Sequence, residues 1–412
     1  MEIRETDVCV VGGGPAGLSL ALLLLRSGVR VTVLERSGSL DREYRGEILQ
    51  PGGQRVLDDL GVLAGARARG CHPHRRFRLV DRDRVLIDSD YETLPGDHRC
   101  LLSIPQRHVL EELLAACRAY DDFTYVGGCK VNRLLSSRGA VTGAEGQGPS
   151  GKVQVLARCV VGADGRYSKV RRLAGIEAGR SDVFDHDIVW FRLPVPSVTP
   201  GEVRIERSGG NPVLTYTSHP DTVQIGWTIP HGRYADFAGN GIEYVRERLV
   251  TAAPDYADAI REHVRSFKDL SLLDVFAADA AAWAADGLVL VGDSAHTHSP
   301  IGAQGINLAL QDAVVLHRVL VDALNADDTS EAALAAFHTA RRGDIARITR
   351  TQMLQSKMML ATGGVAAAVR PRMAALLSRS PVYRKIFALI AFGNPSIRVE
   401  PAPTRGDGTP VS

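Results

Sequence analysis

Val8-Cys9-Val10-Val11-Gly12-Gly13-Gly14-Pro15-Ala16-Gly17 decides how this chain begins to fold. The four apolar residues have strand length and no polar face, as a strand buried on both sides requires. Pro15 sits where a helix can lose an N–H without cost, and the pattern from Pro15 to Ser27 is helical. Gly28 stops that helix, and Val29-Arg30-Val31-Thr32-Val33 alternates with β-branched residues as a second strand. Two strands joined by a helix imply a parallel pair and an α/β sheet. Gly12, Gly14 and Gly17 satisfy G-x-G-x-x-G at the strand-to-helix turn. There the first glycine makes the turn, the second admits a pyrophosphate to the backbone, and the third packs helix on strand. Pro15 and Ala16 open a helix whose free N–H groups and dipole favour phosphate. Glu35, followed by Arg36, ends the second strand, where a carboxylate can hold ribose hydroxyls. This motif leaves nicotinamide and flavin dinucleotides equally open.

Composition narrows the class. The chain has 412 residues, 45% of them hydrophobic and 23% charged, as a soluble enzyme of two or three domains would have. Forty-nine basic and 47 acidic residues leave a net charge of +2, so no field favours nucleic acid, and none is expected as a partner. The six cysteines, at 9, 71, 100, 117, 129 and 159, have no Cys-x-x-Cys spacing. Reduced thiols in a cytoplasmic protein are expected, with no metal site. The run Leu20 to Leu25 is too short to span a bilayer, and membrane contact is not expected. A monomer or homodimer is the expected state.

Further along, 107–119 reads as a helix, 153–163 as strands, and Leu288–Val291 as a buried strand. Between 181 and 275 the texture changes to alternating stretches such as Ile188-Val189-Trp190-Phe191 and Val223-Gln224-Ile225-Gly226-Trp227, separated by Pro, Gly and Asn turns. That pattern predicts an inserted antiparallel sheet. Residues 305–322 and 331–360 read as helices. The expected division is a dinucleotide domain from 1–75, 96–180 and 276–330, and a substrate domain from 76–95 and 181–275. C-terminal helices follow over 331–399, with a flexible tail at 400–412.

Two more motifs separate the cofactors. Cys159-Val160-Val161-Gly162-Ala163-Asp164-Gly165-Arg166-Tyr167-Ser168 places an Asp-Gly turn between a strand and a helix. Gly287 to Asp293 is a strand ending in Gly-Asp, followed by Ser294-Ala295-His296 and by Pro300-Ile301-Gly302-Ala303-Gln304-Gly305-Ile306-Asn307. With the glycine motif and Glu35, these resemble the three fingerprints of the para-hydroxybenzoate hydroxylase-type, group A flavoprotein monooxygenases, over roughly residues 5–350. Arg45 to Pro51 and Ser103-Ile104-Pro105-Gln106 also look like segments of that family. The resemblance implies a discontinuous Rossmann-like FAD domain in an α/β fold, with an inserted antiparallel β-sheet substrate domain and a helical C-terminus.

It also implies roles. Asp293 would accept the ribityl hydroxyls of FAD, and Gly302, Ala303, Gln304 and Gly305 would bring backbone N–H groups to the flavin. Ile306 and Asn307 lie in the first turn of a helix aimed at it. Gln106 would meet the flavin side of FAD and Arg45 the flavin or pyrophosphate. Asp164 either approaches the pyrophosphate and NAD(P)H or simply makes its turn. Trp190, Arg192, Tyr216, His219, Trp227, His296 and Pro300 are pocket candidates, none assigned a catalytic role. Each of them could equally fill core or face outward, and His296 with His298 suggests shaping of the site, not ligation of a metal.

Hydroxylation of an electron-rich aromatic compound follows from the resemblance, with NAD(P)H as transient reductant and O2 entering through a flavin C4a-hydroperoxide. Polycyclic, polyketide-like substrates are among the candidates. The flavin would swing outward to meet NAD(P)H, bordered by Arg45 and Gly302–Gly305. A reductase without oxygen insertion, an epoxidase or Baeyer–Villiger oxygenase, and a non-catalytic flavin binder are the alternatives. Related halogenases carry Trp-x-Trp-x-Ile-Pro, whereas Ile225 stands at the first Trp position here and no Lys lies in 60–85. The residues after Arg342 read as helices, not as the thioredoxin-like domain of the larger hydroxylases. The apolar stretch Met358 to Phe392 is expected to pack on the core, with a substrate-channel wall or membrane-surface contact as the other readings.

Overall fold

The computed structural model describes residues 2–41, 47–81, 84–182, 184–195, 201–207, 211–360, 376 and 380–400. The opening unit is β1 (Glu2–Val11), α1 (Pro15–Arg26) and β2 (Val31–Glu35). Then come β3 (Arg76–Asp81), β4 (Arg84–Asp90), α2 (Gln106–Cys117), β5 (Phe123–Gly127), β6 (Gly151–Gly162) and α3 (Lys169–Leu173). β7 (His186–Leu193), β8 (Glu202–Arg207), β9 (Val213–Ser218) and β10 (Thr222–Pro230) precede β11 (Ser271–Leu273) and β12 (Leu288–Leu290). The chain closes with α4 (Gly305–Asn325), α5 (Glu331–Leu360) and α6 (Pro381–Phe392).

The first sheet runs β12–β6–β1–β2–β5, with every one of these pairs parallel. Its strands are apolar because both faces are covered. α1 is buried from Ala16 to Leu25, since it lies between the sheet, α2 and α4. A helix that is apolar all round needs cover all round. β1 leads through α1 to β2 on one side, while its other neighbour, β6, arrives much later in the chain. The order therefore reverses beside β1, and the crevice at the carboxyl ends of β1 and β6 is the position where such sheets take ligands.

The second sheet runs β11–β7–β10–β9–β8–β3–β4. The expected antiparallel arrangement holds for every neighbour except β8 and β3, which pair in parallel. These two strands come from distant segments, so no hairpin constrains their direction. Both faces of this sheet are covered. On one, Val189, Phe191, Ile225 and Trp227 pack with Val245, Leu249 and Ile260. On the other, Ile188, Trp190, Val203 and Tyr216 join Tyr91, Leu101 and Phe387. Among the described residues, no helix is long and apolar enough to cross a membrane. Apart from Glu400, the expected tail lies outside the described residues.

Candidate active site

A cavity of about 1380 Å³ opens from the carboxyl ends of β1 and β6 to the inner face of the second sheet. A site for one small molecule usually measures about 300–1,000 Å³, so this space suits a dinucleotide and a second molecule together. Its walls include Gly12, Gly14, Pro15, Ala16, Glu35, Arg36, Gln106, Asp164 and Asp293. Gly302 to Ile306 border it, and Trp190, Arg192, Tyr216, His219 and Pro300 also line it.

The glycine turn is tight for a measurable reason. Gly12 has φ +117°, and a Cβ there would stand 2.3 Å from the Ala163 carbonyl oxygen. Gly17 faces the packing side: a Cβ there would meet the Gly12 oxygen at 2.0 Å. It therefore fits α1 onto β1 and does not line the cavity. Gly14 is the N-cap of α1 and offers no side chain to the first-turn N–H groups, which leaves them for an anion.

Glu35 departs from expectation. A carboxylate that only held a ribose would be free of the protein, yet this residue is only 4% exposed. Its Oε2 accepts from the Gly13 N–H at 2.6 Å and its Oε1 from the Ser37 N–H at 2.9 Å. The carboxylate thus also holds the loop that carries it.

The second and third motifs are joined. The Asp164 carboxylate accepts from the Lys169 and Val170 N–H groups at 2.6 and 3.0 Å, capping α3. Its other oxygen accepts from the Ser168 hydroxyl at 2.5 Å and the Ser294 hydroxyl at 3.2 Å. Asp164 thus has a structural role at the start of α3, and it also lines the cavity. Ser294 in turn accepts from the Gly165 N–H at 2.9 Å. Asp293 lies 3.6 Å from the Arg166 guanidinium and is partly open.

Three candidates sit elsewhere. Trp227 faces the far side of the sheet and packs edge-on against Phe237, ring centres 5.5 Å apart. Ile225, two residues earlier on the strand, shares that face, and the cavity takes the other one, through Gly226 and Thr228. His296 is buried behind the wall and bonds Asp312 at 2.6 Å and His298 at 2.8 Å. Its neighbour His298 reaches the cavity, where burial lowers its pKa to about 3. Asn307 serves the backbone: its Nδ2 donates to the Ala303 carbonyl at 2.6 Å and its Oδ1 accepts from the Gly53 N–H at 2.9 Å. It thereby braces the loop in which Gly302 and Ala303 hold φ +74° and +53°. Arg45 lies outside the described residues.

Sequence reasoning did not single out Glu47, Gln50, Tyr91 or His186, all of which line the cavity. Glu47 pairs with the Arg192 guanidinium at 2.5 Å and accepts from the Ser218 hydroxyl at 3.0 Å. Burial pushes its carboxyl pKa up, against the pull of Arg192. Gln50 donates to the Gly302 carbonyl at 2.8 Å and accepts from the Tyr91 hydroxyl at 3.1 Å. The Arg45 to Pro51 segment was a visible signal for the first two. For His186 the signal was period-two alternation back from Trp190.

The sequence profile of the FAD binding domain family matches residues 5–352. The chain belongs to this family. It is 58% identical to a 6-methylpretetramide 4-monooxygenase of Streptomyces rimosus, over 96% of this chain and 94% of that protein. Two solved structures share its fold. A p-nitrophenol 4-monooxygenase from Pseudomonas putida superposes with TM-score 0.79 at 21% identity, over 96% of this chain and 100% of that one. An anhydrotetracycline hydroxylase from Streptomyces rimosus gives TM-score 0.75 at 24% identity, over 94% of this chain and 76% of that one. The protein is an FAD-dependent monooxygenase. The cavity suits FAD by three observations: the uncapped start of α1, the carboxylate ending β2, and a second helix start at Gln304 that also lacks a side-chain cap.

Of the stretch Met358 to Phe392, residues 361–375 and 377–379 lie outside the described residues, and its end is described as α6. α6 forms cavity wall through Tyr383, Ile386, Phe387 and Ile390. It is pinned by Gln304 to the Ile390 carbonyl at 2.8 Å and by Gln311 to the Phe392 carbonyl at 2.8 Å. Phe387 meets Tyr91 edge-on at 4.8 Å between ring centres. Such a pair contributes about 0.5–1.5 kcal/mol. Phe387→Leu takes an aromatic ring from the cavity wall, and losing a comparable ring contact to an aromatic substrate should raise its KM roughly two- to tenfold, with FAD affinity unchanged. Steady-state kinetics beside a flavin titration checks this, and an unchanged KM would remove α6 from the substrate wall.

Proposed function

We propose that this monooxygenase hydroxylates a ring carbon of a linear, multi-ring, phenol-rich aromatic polyketide, using NAD(P)H and O2. The observation that carries the reading is the 58% identity, along nearly the whole chain, to the 6-methylpretetramide 4-monooxygenase. The aromatic lining of the cavity by Phe77, Tyr91, Trp190, Tyr216, Tyr383 and Phe387 supports it. When bound, FAD supplies the electron transfer from NAD(P)H and the activation of O2.

The chain's own residues would do the rest. Gly12 to Ala16 and the start of α1 would hold the pyrophosphate, Glu35 a ribose, and Asp293 the ribityl hydroxyls. Gly302 to Ile306 would border the reacting end of the cofactor, with Gln50 and Asn307 holding that loop in shape. The inner face of the second sheet and α6 would orient the ring system and keep water out. In this reading 1–75, 96–180 and 276–330 act as the FAD domain, 76–95 and 181–275 as the substrate domain, and 331–399 as the C-terminal helices.

The test is product analysis under ¹⁸O2 with NADH or NADPH and 6-methylpretetramide. One labelled oxygen per product molecule is expected, together with faster NAD(P)H oxidation than in substrate-free enzyme. Product without label would replace this reading by a reductase.

A further inference from the structure

Among the described residues, the second sheet brings one charged side chain to the cavity, that of Arg192. Residues alternate sides along a strand, so Arg192 shares a face of β7 with Ile188 and Trp190, which also line the cavity. Val203, Leu214 and Tyr216, on the neighbouring strands, extend this wall without charge.

The guanidinium is fixed by buried partners. Its Nε donates to Gln224 Oε1 at 2.8 Å, from the residue paired with it on β10, and its Nη2 to Glu47 Oε1 at 2.5 Å. Glu47 is steadied in turn by the Ser218 hydroxyl of β9 at 3.0 Å. Gln224 and Glu47 are buried, whereas 35% of the Arg192 side chain stays open. The charge is therefore set in place before a ligand arrives, and little side-chain freedom is left to lose on binding. A guanidinium has five N–H groups in one plane and can serve more than two acceptors at once. In a wall that is mostly apolar, such a cation attracts an anion more strongly than it would in water.

We infer that Arg192 binds an ionised phenol or enol oxygen of the substrate, and so decides which edge of the ring system lies at that part of the cavity. The inference rests on the proposed substrate class. A phenol or enol beside a ring carbonyl loses its proton readily, and the charge is shared by two oxygens. A guanidinium can meet such a pair with two parallel N–H groups. Polyketides built of phenols and ring carbonyls present an edge of this kind and keep the rest of the ring system apolar, as the remaining wall requires. Arg192 is a positioning residue in this account and exchanges no proton in the reaction. Glu47 holds the guanidinium and, as a negative charge beside it, competes with the ligand.

The experiment uses FAD-loaded enzyme without NAD(P)H, titrated with anhydrotetracycline and followed by the ligand's own fluorescence. Arg192→Gln should weaken binding about tenfold, and Arg192→Lys, which keeps the charge, should recover part of it. Glu47→Gln should act in the opposite direction and tighten binding about threefold, because it removes the competing carboxylate. An ion pair that only held the fold together would weaken binding from both ends. Methylation of the probe's acidic oxygen should cost about tenfold in wild type and nothing in Arg192→Gln. In turnover of 6-methylpretetramide, Arg192→Gln should form less hydroxylated product and more hydrogen peroxide per NAD(P)H. Binding within twofold of wild type in Arg192→Gln overturns the assignment, as does weaker binding in Glu47→Gln. Should Arg192→Gln fail to fold, equal wild-type affinity for probe and methyl ether overturns it. Wild-type enzyme that binds no tetracyclic phenol overturns the substrate class itself, and this inference with it.

Discussion

Asp312→Ala lowers the stability of the protein by about 3 kcal/mol in urea unfolding, because it removes one of the two carboxylates that hold the buried Arg341 guanidinium, leaving it Asp344 at 2.8 Å. Arg341 is 0% exposed and its Nε donates to Asp312 Oδ1 at 2.7 Å. The other Asp312 oxygen takes His296 at 2.6 Å and the Gly292 N–H at 3.3 Å. Removing one carboxylate therefore leaves three donors in a dry site. The damage should reach the cavity, since Gly292 precedes Asp293 and His296 bonds the cavity-lining His298. Asp312→Ala combined with Arg341→Met should recover part of the loss, because a buried pair replaced as a whole by apolar groups costs far less than half of one. The effect depends on pH. Burial works against the Asp312 charge, but His296 and Arg341 outweigh it and hold its pKa at about 2. An unfolded aspartate titrates near ~3.9. The stabilisation is thus complete above about pH 4 and disappears as pH falls from there towards 2. The gap between wild type and variant should narrow over that window. Equal urea midpoints at pH 7 would show that the network carries no stability.

Asp293→Ala weakens FAD binding by roughly ten- to a hundredfold. The carboxylate stands at the sheet's ligand edge and faces the cavity, with Arg166 at 3.6 Å as its nearest charged neighbour. That separation is too long for a firm ion pair, so oxygen lone pairs remain for hydroxyl donors. Losing hydrogen bonds to a charged acceptor costs about 1.5–3 kcal/mol. Glu35→Ala is harder to interpret than its position suggests. Its carboxylate holds the Gly13 and Ser37 N–H groups, so the variant would lose loop shape as well as a ribose contact. Flavin fluorescence on titration measures both variants. Wild-type affinity in Asp293→Ala would show that the third motif does not hold the cofactor.

The FAD half of the site was legible because its chemistry is local. Gly12 must be glycine for a left-handed turn against Ala163, and that requirement shows in ten consecutive residues. Asp164 and Asp293 follow strands and precede turns, so their place at one sheet edge follows from parallel pairing. The substrate half was less legible. Alternation puts Ile225 and Trp227 on one face and Gln224 and Gly226 on the other, yet it carries no information about which face meets the cavity when both faces are buried. Trp227 went to the side covered by the helices at 242–252 and 257–263. His296 and His298 stand two residues apart beside one motif, and only packing distinguishes them: Asp312 and Trp283 cover His296, whereas His298, past the short strand at 296–297, reaches the cavity.

By itself, then, the sequence determined the parallel α/β core, the glycine turn and the three motifs that converge beside β1. Each depends on backbone geometry that short stretches of residues dictate. Only the tertiary structure decided that Glu47 would face Arg192 and that α6 would wall the chamber, with Phe387 against Tyr91. Those contacts join segments far apart in the chain. Their geometry is set by how whole sheets and helices stack, which no local pattern encodes.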